Sequence, residues 1–240
     1  MDKTKLEQAK NRIILALDVK TLAEVEHLVK LLSPFVGMFK VGLELLTAEG
    51  SASVISLIHS YGGKVFYDGK FNDIPNTVGE ASKNVAKLGV KLFNIHASAS
   101  MLSMQSAVAN KGNSEVYAVT VLTSIDENNC NLIFGGSVKD KVLQMAREAK
   151  LAGCDGIVCS SQELEMLNTY KELKSLKKIT PGIRPVFASV DDQKRVMTPS
   201  EAIKAGATYL VIGRPITSPP KGMTSLEAAQ LILNEIAIII

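Results

Sequence analysis

Residues 12–42, RIILALDVKTLAEVEHLVKLLSPFVGMFKVG, hold the pattern that decides the fold. The first seven residues form a short run rich in Ile and Leu that ends in Asp18, the pattern of a buried strand. TLAEVEHLVKLL then carries apolar residues at helical spacing, and MFKVG is a second short, mostly apolar run. Strand, helix and strand within about thirty residues make a βαβ unit.

The same alternation continues outward from this unit. Beside RIILALD (12–18) and MFKVG (38–42), the strand candidates are KVFYD (64–68), KLFNIH (91–96), VYAVTVLT (116–123), GIVCS (156–160), KKIT (177–180) and YLVIG (209–213). Helical patterns separate them; KDKVLQMAREAKLAG, for example, closes on a glycine suited to a helix C-terminus. Eight strands interleaved with helices predict a parallel sheet. No GxGxxG follows the first strand, so a doubly wound dinucleotide fold is the weaker architecture. The expected fold is a single α/β (β/α)8 TIM barrel, one domain over residues 1–240, near the ~250 residues typical of that fold.

Hydrophobic residues make up 46% and charged residues 21%, which excludes a disordered chain. Lys and Arg outnumber Asp and Glu by 27 to 24, without a basic block, so no nucleic-acid partner is expected. A few placed bases suit a small anionic molecule instead. No apolar stretch reaches the ~18 residues of a membrane span, and no signal-type apolar segment follows the polar N-terminus. Cys130, Cys154 and Cys159 form no CxxC pair, and Cys159 in GIVCS reads as a small buried hydrophobe. A cytoplasmic protein without a membrane partner is expected. The closing IAIII suits packing of the last helix onto the barrel or onto another subunit.

Active sites of such barrels lie at the C-terminal strand ends, so the polar residues there are the candidates. They are Asp18, Lys40, Asp68 with Lys70, His96, Thr123 with Ser124, Ser160, Arg184, and Gly213 with Arg214. No His, Asp and Glu trio has metal-ligand spacing among them, and neither a metal nor another cofactor is expected. The richest stretch is VFYDGKFNDIPNT (65–77). On an extended backbone Asp68 and Lys70 share a face and point into the barrel mouth, with Gly69 facing away. Asp73 follows in the loop, and Pro75 suits the first turn of a helix. One Lys–Asp pair by itself reads first as a strand-end salt bridge. Lys40 on the preceding strand changes that weighing. Alternating Lys, Asp, Lys and Asp at one mouth are costly to desolvate and unnecessary for stability, which points to a catalytic array.

DGKFNDIPNT (68–77) resembles the DxKxxDIPNT signature of the orotidine 5′-phosphate decarboxylase family, bacterial type. The likeness extends through ALDV (16–19), FKVG (39–42), VTVLTS (119–124), TPGIRP (180–185), DQKRVMTP (192–199) and GRPIT (213–217). The resemblance implies that Lys70 is the proton donor, with Asp68 and Asp73 as its carboxylate partners and Lys40 linking the array to the sugar. Asp18 would hold a ribose hydroxyl, and Thr123 and Ser124 would contact the pyrimidine or its surroundings. Pro181 would line the substrate site, while Arg184, Gln193, Gly213 and Arg214 would hold the phosphate. It also implies a homodimer in which Asp73 and Thr77 reach the neighbouring subunit's site. Two positions depart from the family pattern. Gly69 stands where a bulkier residue is usual, and NIHASASM (94–101) lacks the paired glycines that commonly follow HA. His96 reads as a structural residue, because the lysines already supply the proton.

The chemistry agrees with these residues. Losing CO2 from C6 of orotate leaves a carbanion with no ordinary enolate to delocalise it, and a fixed ammonium can stabilise and then protonate it. Arg214, after the eighth strand, offers a forked cation to phosphate oxygens. The long polar segment 182–197 reads as a lid closing on that phosphate, with a solvated loop as the plainer reading. Two rivals remain: a Mg2+-dependent decarboxylase of 3-keto sugar phosphates with the same DxK…D array, and a non-catalytic barrel that binds nucleotide phosphates.

Overall fold

In a computed structural model, described over residues 2–188 and 197–240, the eight strands close into one parallel barrel. The strands are β1 (Ile13–Ala16), β2 (Met38–Gly42), β3 (Val65–Phe71), β4 (Leu92–His96), β5 (Glu115–Val119), β6 (Gly156–Val158), β7 (Lys177–Thr180) and β8 (Tyr209–Ile212). They pair in chain order, and β8 closes on β1 through Ile13 with Leu210 and Leu15 with Ile212. The expected architecture is the one observed.

Alternation along each strand sorts the side chains into two cores. Ile14, Ala16, Met38, Phe66, Leu92, Tyr117, Ile179 and Val211 fill the barrel interior. Their sequence neighbours, such as Ile13, Leu15, Phe39, Val41, Val65 and Phe93, face outward and pack in a larger layer beneath the helices. Every inward position beyond the interior layer therefore opens at the C-terminal mouth.

The helices start and stop where local chemistry dictates. Leu22–Leu32 begins at a capping box between Thr21 and Glu24, and Ser225–Ile239 at one between Thr224 and Glu227. Val138–Ala152 ends at Gly153, whose φ of 85° is the left-handed cap its glycine allows. Pro75 takes the first position of Pro75–Lys87, as expected. The helix Lys3–Lys10 was not foreseen; it packs against Ser225–Ile239 across the two ends of the chain. In the closing IAIII, Ile236 and Ala237 are buried while Ile238 stays exposed.

Several strand boundaries correct the sequence reading; β6, for one, ends at Val158 rather than at residue 160. β1 stops at Ala16, leaving Asp18 just beyond the strand. β5 stops at Val119 rather than at residue 123; the Thr120 N–H makes the last ladder bond, to the Val158 carbonyl, which also accepts from the Thr120 hydroxyl. β3 runs past Asp68 to Phe71, but not as a regular strand.

Candidate active site

At the mouth, the inward positions next after the interior layer on β2 and β3, and the next inward position beyond the end of β1, are polar. Asp18, Lys40 and Asp68 each follow an interior apolar residue by two positions, after Ala16, Met38 and Phe66. Lys40 Nζ lies 3.2 Å from Asp68 Oδ2 and 3.3 Å from Asp18 Oδ1. Lys70 Nζ lies 2.7 Å from Asp68 Oδ1. Asp68 is 7% exposed and so accepts from an ammonium on each oxygen within the protein.

Burial alone would raise the Asp68 pKa, yet Lys40, Lys70 and a hydrogen bond from Asn94 hold it below the usual carboxylate range. Burial alone would lower Lys40, and the charges of Asp68 and Asp18 overcome it to leave Lys40 above the ordinary lysine value. Asp68 as carboxylate and Lys40 as ammonium are the stable forms across the neutral range. His96 is half-buried, and burial first, then the Lys70 charge, lowers its pKa. It stays neutral near pH 7, in keeping with a structural part.

Lys70 reaches Asp68 in a way that simple alternation does not describe. Tyr67 pairs with Phe93 and Phe71 with Ile95, so three residues of β3 bulge opposite Asn94 alone. Within the bulge Lys70 takes φ 49°, in the left-handed region that a long side chain seldom occupies. Gly69 faces away from the cavity, as expected, and the space there is full. A Cβ at Gly69 would sit 2.3 Å from Cε1 of Tyr67, whose ring packs at a tilt against Phe71, centroids 5.9 Å apart.

The array opens into a cavity of about 300 Å³. Facing the charges across it are Val119, Val121, Val158, Cys159 and Ile179, an apolar wall suited to a flat ring. Burial pushes the Cys159 thiol far up, so it serves as an inert hydrophobe. Thr123, Pro181, Arg184, Gly213 and Arg214 also line the cavity, beside Asp18, Lys40, Asp68 and Lys70. Gly213 passes so close to β1 that a Cβ would lie 3.3 Å from both Ala16 Cβ and Asp18 Oδ2.

Three expected residues stand outside this cavity. Ser124 is exposed in the turn beside Thr123 and is not among the residues that line the cavity. Asp73 and Thr77 are exposed, and no ion pair within 4 Å joins Asp73 to Lys70 among the described residues. Asp73 Oδ1 instead accepts from the Ile74 N–H at 2.7 Å, and its carbonyl accepts from Ser103 Oγ at 2.8 Å. One chain therefore assembles three of the four expected charges. Gln193 and most of the expected lid, residues 189–196, lie outside the described residues.

Two features escaped the sequence reading. Asn94 lies under the array, and its signal was present: a polar residue at an inward position, two after interior Leu92. Ser100 takes φ 116°, a backbone state that suits glycine, in the loop where the family's glycines are missing. Its hydroxyl caps the helix Met101–Ala109 by accepting from the Ser103 N–H at 3.2 Å.

A family model described as "Orotidine 5'-phosphate decarboxylase / HUMPS family" matches residues 11–229. A protein of Geotalea daltonii named orotidine 5'-phosphate decarboxylase is 48% identical over 238 residues, covering 96% of this chain and 98% of its own. One of the same name from Moorella thermoacetica is 43% identical over 231 residues, covering 92% of this chain and 91% of its own. Among solved structures, orotidine 5'-phosphate decarboxylase from Lactobacillus acidophilus superposes with a TM-score of 0.80 at 31% identity, covering 93% of this chain and 98% of its own.

Proposed function

The chain belongs to the orotidine 5'-phosphate decarboxylase / HUMPS family, and on that premise we propose that it converts orotidine 5′-monophosphate to UMP and CO2. The observation that carries this reading is the Lys40–Asp68–Lys70 array, at 2.7–3.3 Å spacings beside an apolar wall. The ring lies against that wall with C6 over Lys70. The C6–carboxylate bond breaks, CO2 departs, and its electron pair stays on C6. The Lys70 ammonium stabilises that pair and then gives it a proton, and the neutral amine regains one from solvent.

The remaining residues make this ammonium effective. Asp68 anchors Lys70, and Lys40 ties Asp68 to Asp18, so the charges are fixed before the substrate arrives. Asp68 near the substrate carboxylate adds repulsion that the departing CO2 relieves. Asp18 and Lys40 take the ribose hydroxyls, and Thr123 and Pro181 border the ring. Arg184, Gly213 and Arg214 take the phosphate, with Gln193, outside the described residues, as the fourth residue assigned to it.

Asp73 and Thr77 complete the site of a second copy in a homodimer. Their exposure away from their own cavity, next to Ile74 at 66% and Leu102 at 66% exposure, supports this arrangement. The working protein is a single barrel domain in the cytoplasm, where three buried, unbridged cysteines suit a reducing environment. Among the described residues no helix is long and apolar enough to cross a membrane.

The test is the ultraviolet absorbance change as orotidylate is consumed, with and without EDTA. Two ammoniums at the reacting end repel a divalent cation, so full activity after chelation is expected. Orotidylate consumption lost to EDTA and restored by Mg2+ would contradict the metal-free mechanism. No consumption under either condition would overturn the orotidylate reading and leave the keto-sugar enzyme and the phosphate-binding barrel.

A further inference from the structure

We propose that Asn94 is the positioning residue that holds Lys70 and Asp68 in their reacting geometry, an inference that rests on the decarboxylase reading above. Asn94 is completely buried on β4. Its Oδ1 accepts from the Lys70 backbone N–H at 2.7 Å, and its Nδ2 donates to Asp68 Oδ1 at 2.6 Å. That same Asp68 oxygen accepts from Lys70 Nζ at 2.7 Å. Lys70 N–H, Asn94, Asp68 and Lys70 Nζ thus form a closed ring of hydrogen bonds. The amide's orientation follows from its neighbours, since an N–H needs an oxygen and a carboxylate needs a donor.

The bulge explains why an amide is needed. It deprives the Lys70 N–H of a strand partner and puts Lys70 at φ 49°. A buried, unpaired N–H together with a left-handed lysine would drive this segment back toward extended geometry, swinging Nζ away from C6. Asn94 supplies the missing acceptor with one end of its amide and orients the carboxylate with the other. Asn94 makes no proton transfer itself; it acts through Lys70.

Asn94→Asp separates this role from mere packing. As a neutral acid, Asp at 94 keeps a donor for Asp68 and an acceptor for the Lys70 N–H. Once ionised, it loses the donor and sets two carboxylates face to face. The titratable groups around position 94 are Asp68 and Lys70 on β3, Lys40 behind Asp68 on β2, and His96 on its own strand. From β5 its register partner is Tyr117, whose hydroxyl is turned to Glu115. His96 is common to both proteins, so the ratio of variant to wild-type kcat isolates the new carboxyl.

The experiment measures kcat for orotidylate and UMP affinity between about pH 5 and about pH 8, a span in which a buried carboxyl beside Asp68 titrates. The kcat ratio for Asn94→Asp is expected to fall about 10- to 100-fold as pH rises, the worth of a charge-assisted hydrogen bond. UMP affinity should hold within about threefold, because ribose and phosphate contacts are untouched. Asn94→Ala should lose kcat by a similar factor at every pH. A pH-independent ratio, or Asn94→Ala with wild-type kcat, would overturn the proposal. If Asn94→Ala does not fold, Asn94→Asp decides alone, since one folded sample serves as its own control across pH. A wild-type protein inactive on orotidylate would instead overturn the decarboxylase reading.

Discussion

Arg214 lines the same cavity as Lys70, next to Gly213 where β8 gives way to a short helix. A contact to phosphate there is remote from the broken bond, yet its binding energy serves the transition state by holding the ring against the array. Arg214→Ala should therefore lower kcat/KM on orotidylate by the equivalent of roughly 2–5 kcal/mol. The defect should nearly vanish on orotidine, which has no phosphate to lose. Steady-state rates on both substrates check this, and equal defects on the two would make Arg214 structural. At this scale the sequence was informative wherever a side chain could be counted inward from a strand. Asp18, Lys40, Asp68, Arg184 and Arg214 all line the cavity as expected. Ser124 does not, because β5 ends before it and the turn carries it outward.

At the scale of elements, β3 is where simple counting failed. Period-two alternation places Asp68 and Lys70 on one face, and they do meet, but through a bulge that alternation cannot express. The cause lies in a partner strand: whether the Lys70 N–H finds a ladder carbonyl or the Asn94 amide depends on β4, distant in sequence. The glycine at 69 is the local trace of the bulge, since the Tyr67 ring fills the space a Cβ would need. The pairing of β3 with β2 through Asp68 and Lys40 also makes stability depend on pH. Asp68 has a folded pKa below its unfolded value of ~3.9, so its contribution is complete above that pH and disappears as pH falls through the folded value. Lys40 has a folded pKa above ~10.4, so its contribution is complete below that pH and is lost as pH rises past the folded value. Urea midpoints should hold steady above about pH 7, slip as pH falls past ~6.5 because the fold keeps His96 neutral, and fall further below about pH 4. The acid limb should be shallower in Asp68→Asn, and an unchanged limb would show that other carboxylates carry it.

For the whole molecule, the eightfold alternation made the barrel legible, because each strand is a short apolar run between helical patterns. The helix Lys3–Lys10 was not legible. KTKLEQAK offers only Leu6 and Ala9 as apolar positions, and its docking depends on the far end of the chain. The proposed division of the site between two chains would be a property of the assembly as well. Lys70 lies in the cavity of its own barrel while Asp73 faces outward, so the proposed dimer joins Lys70 of one chain to Asp73 of the other. The direct test is the decarboxylation rate of co-expressed Lys70→Ala and Asp73→Ala chains, with mass spectrometry confirming that heterodimers form. Each variant alone should be nearly inactive. In a mixed dimer one site carries both lesions and the other neither, so random pairing should restore about a quarter of wild-type sites. A mixture no more active than the separate variants, with heterodimers present, would contradict a charge array completed across the dimer.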